Sequence, residues 1–502
     1  MSAHKISKSQ YLKGLQCPKS LWLYRHRNDL APEITPDKQT LFDTGSAIGD
    51  LAKQYFSGGV EVTNEYWDVE GAVEATKSYI NRGENIIFEA TTLHPIDGGY
   101  SRIDILKRVE GSDEWDLIEV KGSTSVKDYH YDDMAFQYHV FHAAGYKIRS
   151  CQMMLLDNTY IRIGEIDPKA IFKFEDITPH VLAKQAETEA VSGQLGYVLE
   201  RKEEPKVSIG AKCFAPFECD YRPYCWAHVP DYSVYDVFQK PKAEEIAKLY
   251  GLSLEKLPRD IWPSGNKALD LESYLNGQEL VDTENIQAFL SELQYPLYFL
   301  DYETLMPEIP LFDGTRPFQQ IPFQYSVHIQ QAPSSALEHK EFLHQDQSDP
   351  RKAFVEKLVQ DCGTQGTIIV YNQAFEIARN NELAADFPEY AESIRSINDR
   401  VIDLLVPFRN RWLYHPNQKG SASIKAVLPA FTDLSYDDLE IAHGGEAMRQ
   451  YGAFMSGTLD ASFWDALWQD LSAYCEQDTY AMYELLKILK LKAQSSESYF
   501  SE

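Results

Sequence analysis

The sequence predicts an α/β protein of two domains joined by a helical connector. Three observations carry that expectation. Residues 84–123 pass through consecutive runs of apolar–polar alternation, and a helical period follows at 133–146. A second succession of strand-like and helical stretches starts at 295 and continues to about 490. Between 231 and 290 lie short amphipathic pieces, AEEIAKLYG, LDLESYLNG and ENIQAFLSEL, broken by Pro and Gly. A chain of 502 residues has room for roughly two to four domains. The boundaries are therefore expected at 1–230, 231–290 and 291–502.

In the first domain, GSAIGDLAKQYF has a helical pattern. YSRIDILKRV and WDLIEVK alternate as strands around a Gly-Ser-Asp turn, and DMAFQYHVFHAAGY reads as a helix. RSCQMMLLDNTYIRIG (149–164) reads as two strands around an Asp-Asn turn. In the last domain YPLYFLDYETL is a strongly apolar strand, TIIVYNQAFEIARNNELA a strand running into a helix, and LSAYCEQDTYAMYELL a helix. GSASIKAVLPAF (420–431) reads as a turn and helix, and the polar tail KAQSSESYFSE is expected to fray.

The net charge of −28 argues against a generic nucleic-acid coat protein, whose footprint is basic. It is compatible with a metal-dependent site, which needs clustered carboxylates. Residues 4–27 carry Lys5, Lys8, Lys13, Lys19, Arg25 and Arg27 with no acid among them, as a solvated helix face or a phosphate contact. No run of about 18 uncharged apolar residues predicts a membrane span. MSAHKISKSQYLKGLQ lacks the apolar core of a secretory signal, so a cytoplasmic protein is expected.

Seven cysteines occur, and three crowd into KCFAPFECDYRPYCW (212–226). In a reducing compartment such clustering favours metal or cluster ligation over disulfides. Cys151, Cys362 and Cys475 sit in apolar stretches and are expected as core fillers.

Two groups of residues carry chemistry. In IDIL and IEVK, Glu119 and Lys121 share one face of a strand, and Asp104 lies on the strand before. Two carboxylates can hold a divalent cation, and the lysine can orient or deprotonate a water or steady charge on a phosphate. The bland counterpart is a surface ion pair. Gln137 follows on the next helix, and Asp50 on the helix before is a third carboxylate. D-(14 residues)-E-V-K followed by a helix with Gln resembles the PD-(D/E)XK nucleases of the RecB type, over roughly residues 5–230. The iron–sulfur branch of that family, which includes nucleases of CRISPR adaptation, brackets its core with one Cys before and three after. By that resemblance Cys17 joins Cys213, Cys219 and Cys225 around a [4Fe–4S] cluster, with zinc the alternative. The chain departs from the family in its C-x5-C-x5-C spacing, in Asp50 where a histidine is usual, and in Phe141 where the helix usually has Tyr. The hard carboxylate at position 50 favours Mg2+ or Mn2+.

In YFLDYETL, Asp301 and Glu303 share one face of a strand, a repulsive pair unless cations bind between them. Asn372 and Glu376 follow at a strand–helix junction, and Tyr474 and Asp478 stand one turn apart on the last helix. The ordered set D-x-E, N-x3-F-E, Y-x3-D resembles the DEDD 3′–5′ exonucleases, DnaQ-like and RNase H-like in fold, over about 295–490. That resemblance implies a two-metal hydrolysis held by the four carboxylates, with Tyr474 positioning water. Glu376 stands where most members have Asp. Asp403 is expected as a helix or channel contact, and Lys425 as a phosphate contact.

Taken together the chain resembles a family of bacterial proteins that fuse the two modules. The expected activity is metal-dependent DNA hydrolysis on single strands or duplex ends, with 3′–5′ trimming by the last domain. The alternatives are a nucleic-acid-binding scaffold with one or both sites inactive, and an exoribonuclease.

Overall fold

The alternating runs at 84–123 become the centre of a mixed sheet. In the computed structural model, which describes residues 5–494, the chain divides into two units. One runs up to Val229 and takes in Glu308–Phe318, and the other comprises Pro230–Pro307 and the chain from Gln319 onward. Both are mixed α/β. The tail expected to fray lies, from residue 495, outside the described residues.

In the first unit two short strands, β1 (Ile6–Ser7) and β2 (Val60–Glu61), accompany the meander β3 (Ile86–Leu93), β4 (Gly99–Arg108) and β5 (Glu114–Lys121). After the helix Asp128–Ala143 come β6 (Lys147–Leu156) and β7 (Phe172–Asp176). The sheet order is β2-β3-β4-β5-β6-β7, with β1 also paired to β4. Pairing is antiparallel from β3 through β5 and parallel between β5 and β6. Ile87, Ile103, Leu117 and Met153 face one core with Phe141, and Phe88, Ile105, Ile118 and Met154 face the other with the helix Pro36–Tyr55. The sheet is thus covered on both faces.

Residues 158–164 do not form the second strand expected after the Asp-Asn turn, and the partner of β6 is β7 instead. Arg162 is committed elsewhere. Its backbone N–H donates to Thr315 O at 2.9 Å, and its guanidinium donates to the carbonyls of Pro310 (2.9 Å) and Leu311 (2.6 Å). Those contacts embed Glu308–Phe318 in this unit.

The second unit contains β8 (Leu280–Val281), β9 (Leu297–Leu305), β10 (Ile321–Gln330), β11 (Leu337–Leu343), β12 (Thr367–Val370), β13 (Val401–Asp403) and β14 (Leu413–Tyr414). The main sheet has the order β11-β10-β9-β12-β13. It is antiparallel from β11 to β9 and parallel from β9 to β13. Tyr298, Leu300 and Tyr302 alternate into a core with Phe354 and Leu358. The intervening residues, Asp301 and Glu303 among them, face the opposite side, where the helix Trp464–Lys492 packs.

The expected connector is helical, but it clusters with the second unit rather than standing apart. Its β8 pairs with β14, and buried Asp270 accepts from the guanidinium of Arg411, with Nη2 at 2.9 Å from Oδ2. A buried, bidentate ion pair and a strand pairing are contacts that a free linker does not make.

Candidate active sites

Each unit presents carboxylates on the strand where its sheet turns from antiparallel to parallel: β5 in the first, β9 in the second.

In the first unit the β4–β5 ladder ends at Ile105 and Ile118. Beyond it Asp104 Oδ2 accepts the Val120 N–H at 2.7 Å, so a carboxylate takes the place of a ladder carbonyl. Asp104, Glu119 and Lys121 line a cleft of about 570 Å³ together with Asp50, Lys53 and Glu89. The expected convergence of Asp104, Glu119 and Lys121 is present. Lys121 Nζ lies 2.7 Å from Glu119 Oε1 and 2.7 Å from Asp133 Oδ2. Gln137 donates to Glu119 Oε2 at 2.8 Å and to Asp133 Oδ1 at 3.2 Å, and accepts from Ser101 at 3.0 Å. Asp50 lines the cleft from the helix Pro36–Tyr55, but its side chain is 71% exposed and pairs with Lys53 at 3.2 Å. Phe141 is fully buried in the core.

Three participants escape the sequence patterns. Lys8 donates to Glu119 and lies 3.5 Å from Asp133, which places one lysine of the basic N-terminal stretch inside the site. Three others in that stretch, Lys5, Lys13 and Lys19, meet Glu70, Asp220 and Glu204. Asp133 stands one helical turn before Gln137. Glu89 adopts φ 56° within β3, a left-handed conformation rare for a non-glycine residue and a recurrent mark of functional sites. Only the Lys8 charge run gave any signal, because the other two depend on register.

Burial, and then Glu119, push the carboxyl of Asp104 up to about 7. Burial also pushes Glu119 up, but Lys121, Lys8 and the Gln137 amide outweigh it and hold it at about 2. Lys121 remains firmly protonated, since Asp133, Glu119 and Asp104 overcome its desolvation. It therefore supplies positive charge rather than a base.

In the second unit Asp301, Glu303 and Asp478 each offer a carboxylate oxygen within 4.8 Å of the others. Glu376, in the first turn of the helix Gln373–Asp386, lines the same pocket of about 270 Å³ with Tyr474, Lys425 and Gly444. Glu376 Oε2 is buried with no hydrogen-bond partner. Burial and the Asp478 charge push Glu303 up to about 8; burial and Asp403 do the same to Glu376. Burial raises Asp478 to about 6 against hydrogen bonds from Tyr436 (2.5 Å) and Tyr474. Four carboxylates, three of them buried and Asp301 partly so, with one nearby ammonium form the donor set of hard divalent cations. An unpartnered Glu376 oxygen is what a missing cation ligand leaves behind.

Lys425 donates to Ala442 O at 2.5 Å and lies over the rings of Tyr436 and Tyr474. Asp403 accepts the backbone N–H groups of Asn372 (2.9 Å) and Leu405 (3.0 Å), so it shapes the loop that presents Glu376. Gly444 keeps the floor open: a Cβ there would stand 3.4 Å from Glu303 Oε2. Tyr436 was not legible in the sequence, since only its approach from a separate loop makes it a partner of Asp478.

Cys17, Cys213, Cys219 and Cys225 line one small cavity, of about 20 Å³, in the first unit. Cys17 caps the helix Pro18–His26, whose Lys19 and Ser20 N–H groups point at its sulfur. No three of the four sulfurs lie within 4.8 Å of one another, whereas four sulfurs on one zinc ion sit about 3.8 Å apart. The cavity as it stands is too small for a metal cluster, so either a zinc ion or a cluster would require the thiols to shift. Cys151, Cys362 and Cys475 are fully buried, as core fillers should be.

Comparison with known proteins adds relatives without an assigned activity. Residues 298–423 match a domain of unknown function (DUF2779), a stretch that contains Asp301, Glu303, Glu376 and Asp403. The uncharacterized protein MG366 of Mycoplasma genitalium is 25% identical over 235 residues, which cover 42% of this chain and 35% of that one. Its homolog in Mycoplasma pneumoniae is 25% identical over 280 residues, 51% of this chain and 42% of that one. The uncharacterized protein UU173 of Ureaplasma parvum is 26% identical over 278 residues, 50% and 40%. The chain therefore matches less than half the length of these curated relatives. Among the described residues no helix is long and apolar enough to cross a membrane.

Proposed function

We propose that this protein is a metal-dependent nuclease with two hydrolytic modules. The first is of the PD-(D/E)XK type and the second a DEDD-type exonuclease of RNase H-like fold. One observation carries the reading: Asp301, Glu303 and Asp478 converge within 4.8 Å, with Glu376 in the same pocket and one of its oxygens unpartnered. Carboxylates packed so closely repel one another when ionised, a cost that bound protons or bound cations offset.

Asp301, Glu303, Glu376 and Asp478 would hold Mg2+ or Mn2+. Those ions, when bound, supply Lewis-acid stabilisation of the phosphate and an activated water. Tyr474 orients the incoming water through its hydroxyl, and Tyr436 fixes Asp478. Lys425 faces the pocket and offers positive charge to a phosphate. In the first unit Asp104 and Glu119 would hold a cation with Asp50 at the mouth, while Lys121 and Lys8 stabilise developing negative charge. The four cysteines would hold a [4Fe–4S] cluster, with zinc as the alternative. The substrate proposed is DNA, as single strands or duplex ends.

One observation favours a second reading for the first unit. Glu119 is already neutralised by two ammonium groups, as in a site that binds nucleic acid without cutting it. Single-stranded DNA labelled separately at each end, incubated anaerobically with Mg2+ or Mn2+, tests both readings. Early release of single 3′ nucleotides, lost in Asp301→Asn, supports the exonuclease. Internal or 5′ cleavage lost in Glu119→Gln supports a second nuclease. Binding without either product supports the scaffold reading, and cleavage of RNA alone would redirect the substrate.

A further inference from the structure

The sheet of the second unit carries another constellation that neither hydrolytic site uses. His328 on β10 and His339 on β11 are direct cross-strand neighbours, and their rings stack with centroids 4.6 Å apart. Glu476 approaches from the helix Trp464–Lys492. One ring nitrogen of each histidine and one Glu476 oxygen lie within 4.8 Å of one another.

The other ring nitrogens are spoken for. His328 Nδ1 lies 2.8 Å from Thr479 Oγ1, and His339 Nε2 lies 2.9 Å from Ser326 Oγ. Ser326 Oγ is in turn 2.8 Å from Thr479 Oγ1, whose hydroxyl stands 3.0 Å from the carbonyl of Glu476. In the tautomers that a metal ion would select, the Thr479 hydroxyl donates to that carbonyl and accepts from Ser326 and from His328 Nδ1–H, and Ser326 accepts from His339 Nε2–H. Every partner is then satisfied, and the lone pairs of His328 Nε2 and His339 Nδ1 are turned toward Glu476.

Both lone pairs face the carboxylate of Glu476, at 4.0 and 3.8 Å. Those distances exceed a hydrogen bond, and three electron-rich atoms facing one another are unfavourable without a cation among them. The hydroxyls behind the rings are the kind of partners that orient histidine ligands. Tetrahedral ligands on zinc stand roughly 3.3 Å apart, given Zn–N of about 2.0–2.1 Å. Bringing the Glu476 oxygen to that distance from the two nitrogens takes about 0.5–0.7 Å, which its half-exposed side chain can supply.

We propose that His328, His339 and Glu476 form a site for a borderline divalent cation, zinc being the fitting class for two imidazoles and a carboxylate. The ion staples edge strand β11 to the helix that carries Tyr474 and Asp478. Its donors are distinct from those of the carboxylate pocket, although Glu476 and Asp478 share a helix.

The test is zinc titration of the metal-stripped full-length protein against a chromophoric chelator. Wild type, His339→Ala, Glu476→Gln, Asp301→Asn and Cys213→Ser are compared, with circular dichroism to show that each is folded. Wild type should bind one more tight equivalent than His339→Ala or Glu476→Gln, while Asp301→Asn and Cys213→Ser keep that equivalent. Ser326→Ala should weaken it about tenfold by freeing the His339 ring. Cobalt loading gives a second readout: a visible band lost in His339→Ala and kept in Asp301→Asn. Equal zinc equivalents and equal cobalt spectra in wild type and folded His339→Ala would overturn the proposal, whatever the fate of the nuclease reading.

Discussion

Lys8 donates to the carboxylate of Glu119 across 111 positions of chain. The basic N-terminal helix is thereby part of a site whose other members lie on β4, β5 and the helix Asp128–Ala143. Lys8→Ala removes a charge-assisted hydrogen bond, worth about 1.5–3 kcal/mol. It should lower the denaturation midpoint accordingly and reduce any first-unit cleavage by about tenfold or more. Lys5→Ala, whose ion pair is at the surface, should change neither. Denaturant titration and end-labelled cleavage of the two variants check this.

Glu376 stands where the DEDD exonucleases that the motif resembles mostly carry Asp. If its unpartnered oxygen is a cation ligand, Glu376→Gln should slow 3′ release by about 10²-fold. Glu376→Asp should retain most of it, because a carboxylate remains within reach of the pocket. Single-turnover rates in Mn2+ distinguish them, and equal rates for Gln and wild type would remove Glu376 from the site.

Glu303 and Glu376 are both pushed up to about 8 by burial and neighbouring carboxylates. A carboxyl raised on folding binds more protons in the native than in the unfolded state between its two pKa values. Native stability contributed by these groups is thus full below the ordinary carboxyl range, near pH 4, and is lost as pH rises through about 8. Chelated protein should therefore melt at progressively lower temperature from pH 5 to pH 9. Mn2+ should abolish most of that fall, and Glu376→Gln should flatten it without metal. A melting temperature that rises over this range in chelator would contradict the assignment.

The proposed [4Fe–4S] cluster on Cys17, Cys213, Cys219 and Cys225 predicts brown protein after anaerobic purification, with iron and sulfide bound. Cys213→Ser should lose that iron and destabilise the first unit, while 3′ release by the second unit continues. Stoichiometric zinc with no iron would assign the cavity to the zinc alternative.

Much of both sites was legible because their signals are local. Glu119 and Lys121, and likewise Asp301 and Glu303, are two apart on strands, and Tyr474 and Asp478 are four apart on a helix. Strand and helix periods alone turn each pair to one side. The same logic gave the meander at 84–123. It failed at 158–164, where a strand-like pattern is spent on contacts with Glu308–Phe318, a segment about 150 positions later. It also set the connector apart, although Asp270 and β8 bind it to the second unit.

By itself the sequence determined which carboxylates and lysines share a face on each strand and helix, and where the two successions of strands and helices begin. Only the tertiary structure decided that Lys8, Glu89, Asp133 and Tyr436 enter the sites, and that His328 and His339 meet over Glu476. The physical reason is the range of the forces. Periodicity and turn chemistry act over a few residues. Strand register, the point where a sheet switches from antiparallel to parallel, and the approach of a distant loop are set by the packing of the whole unit.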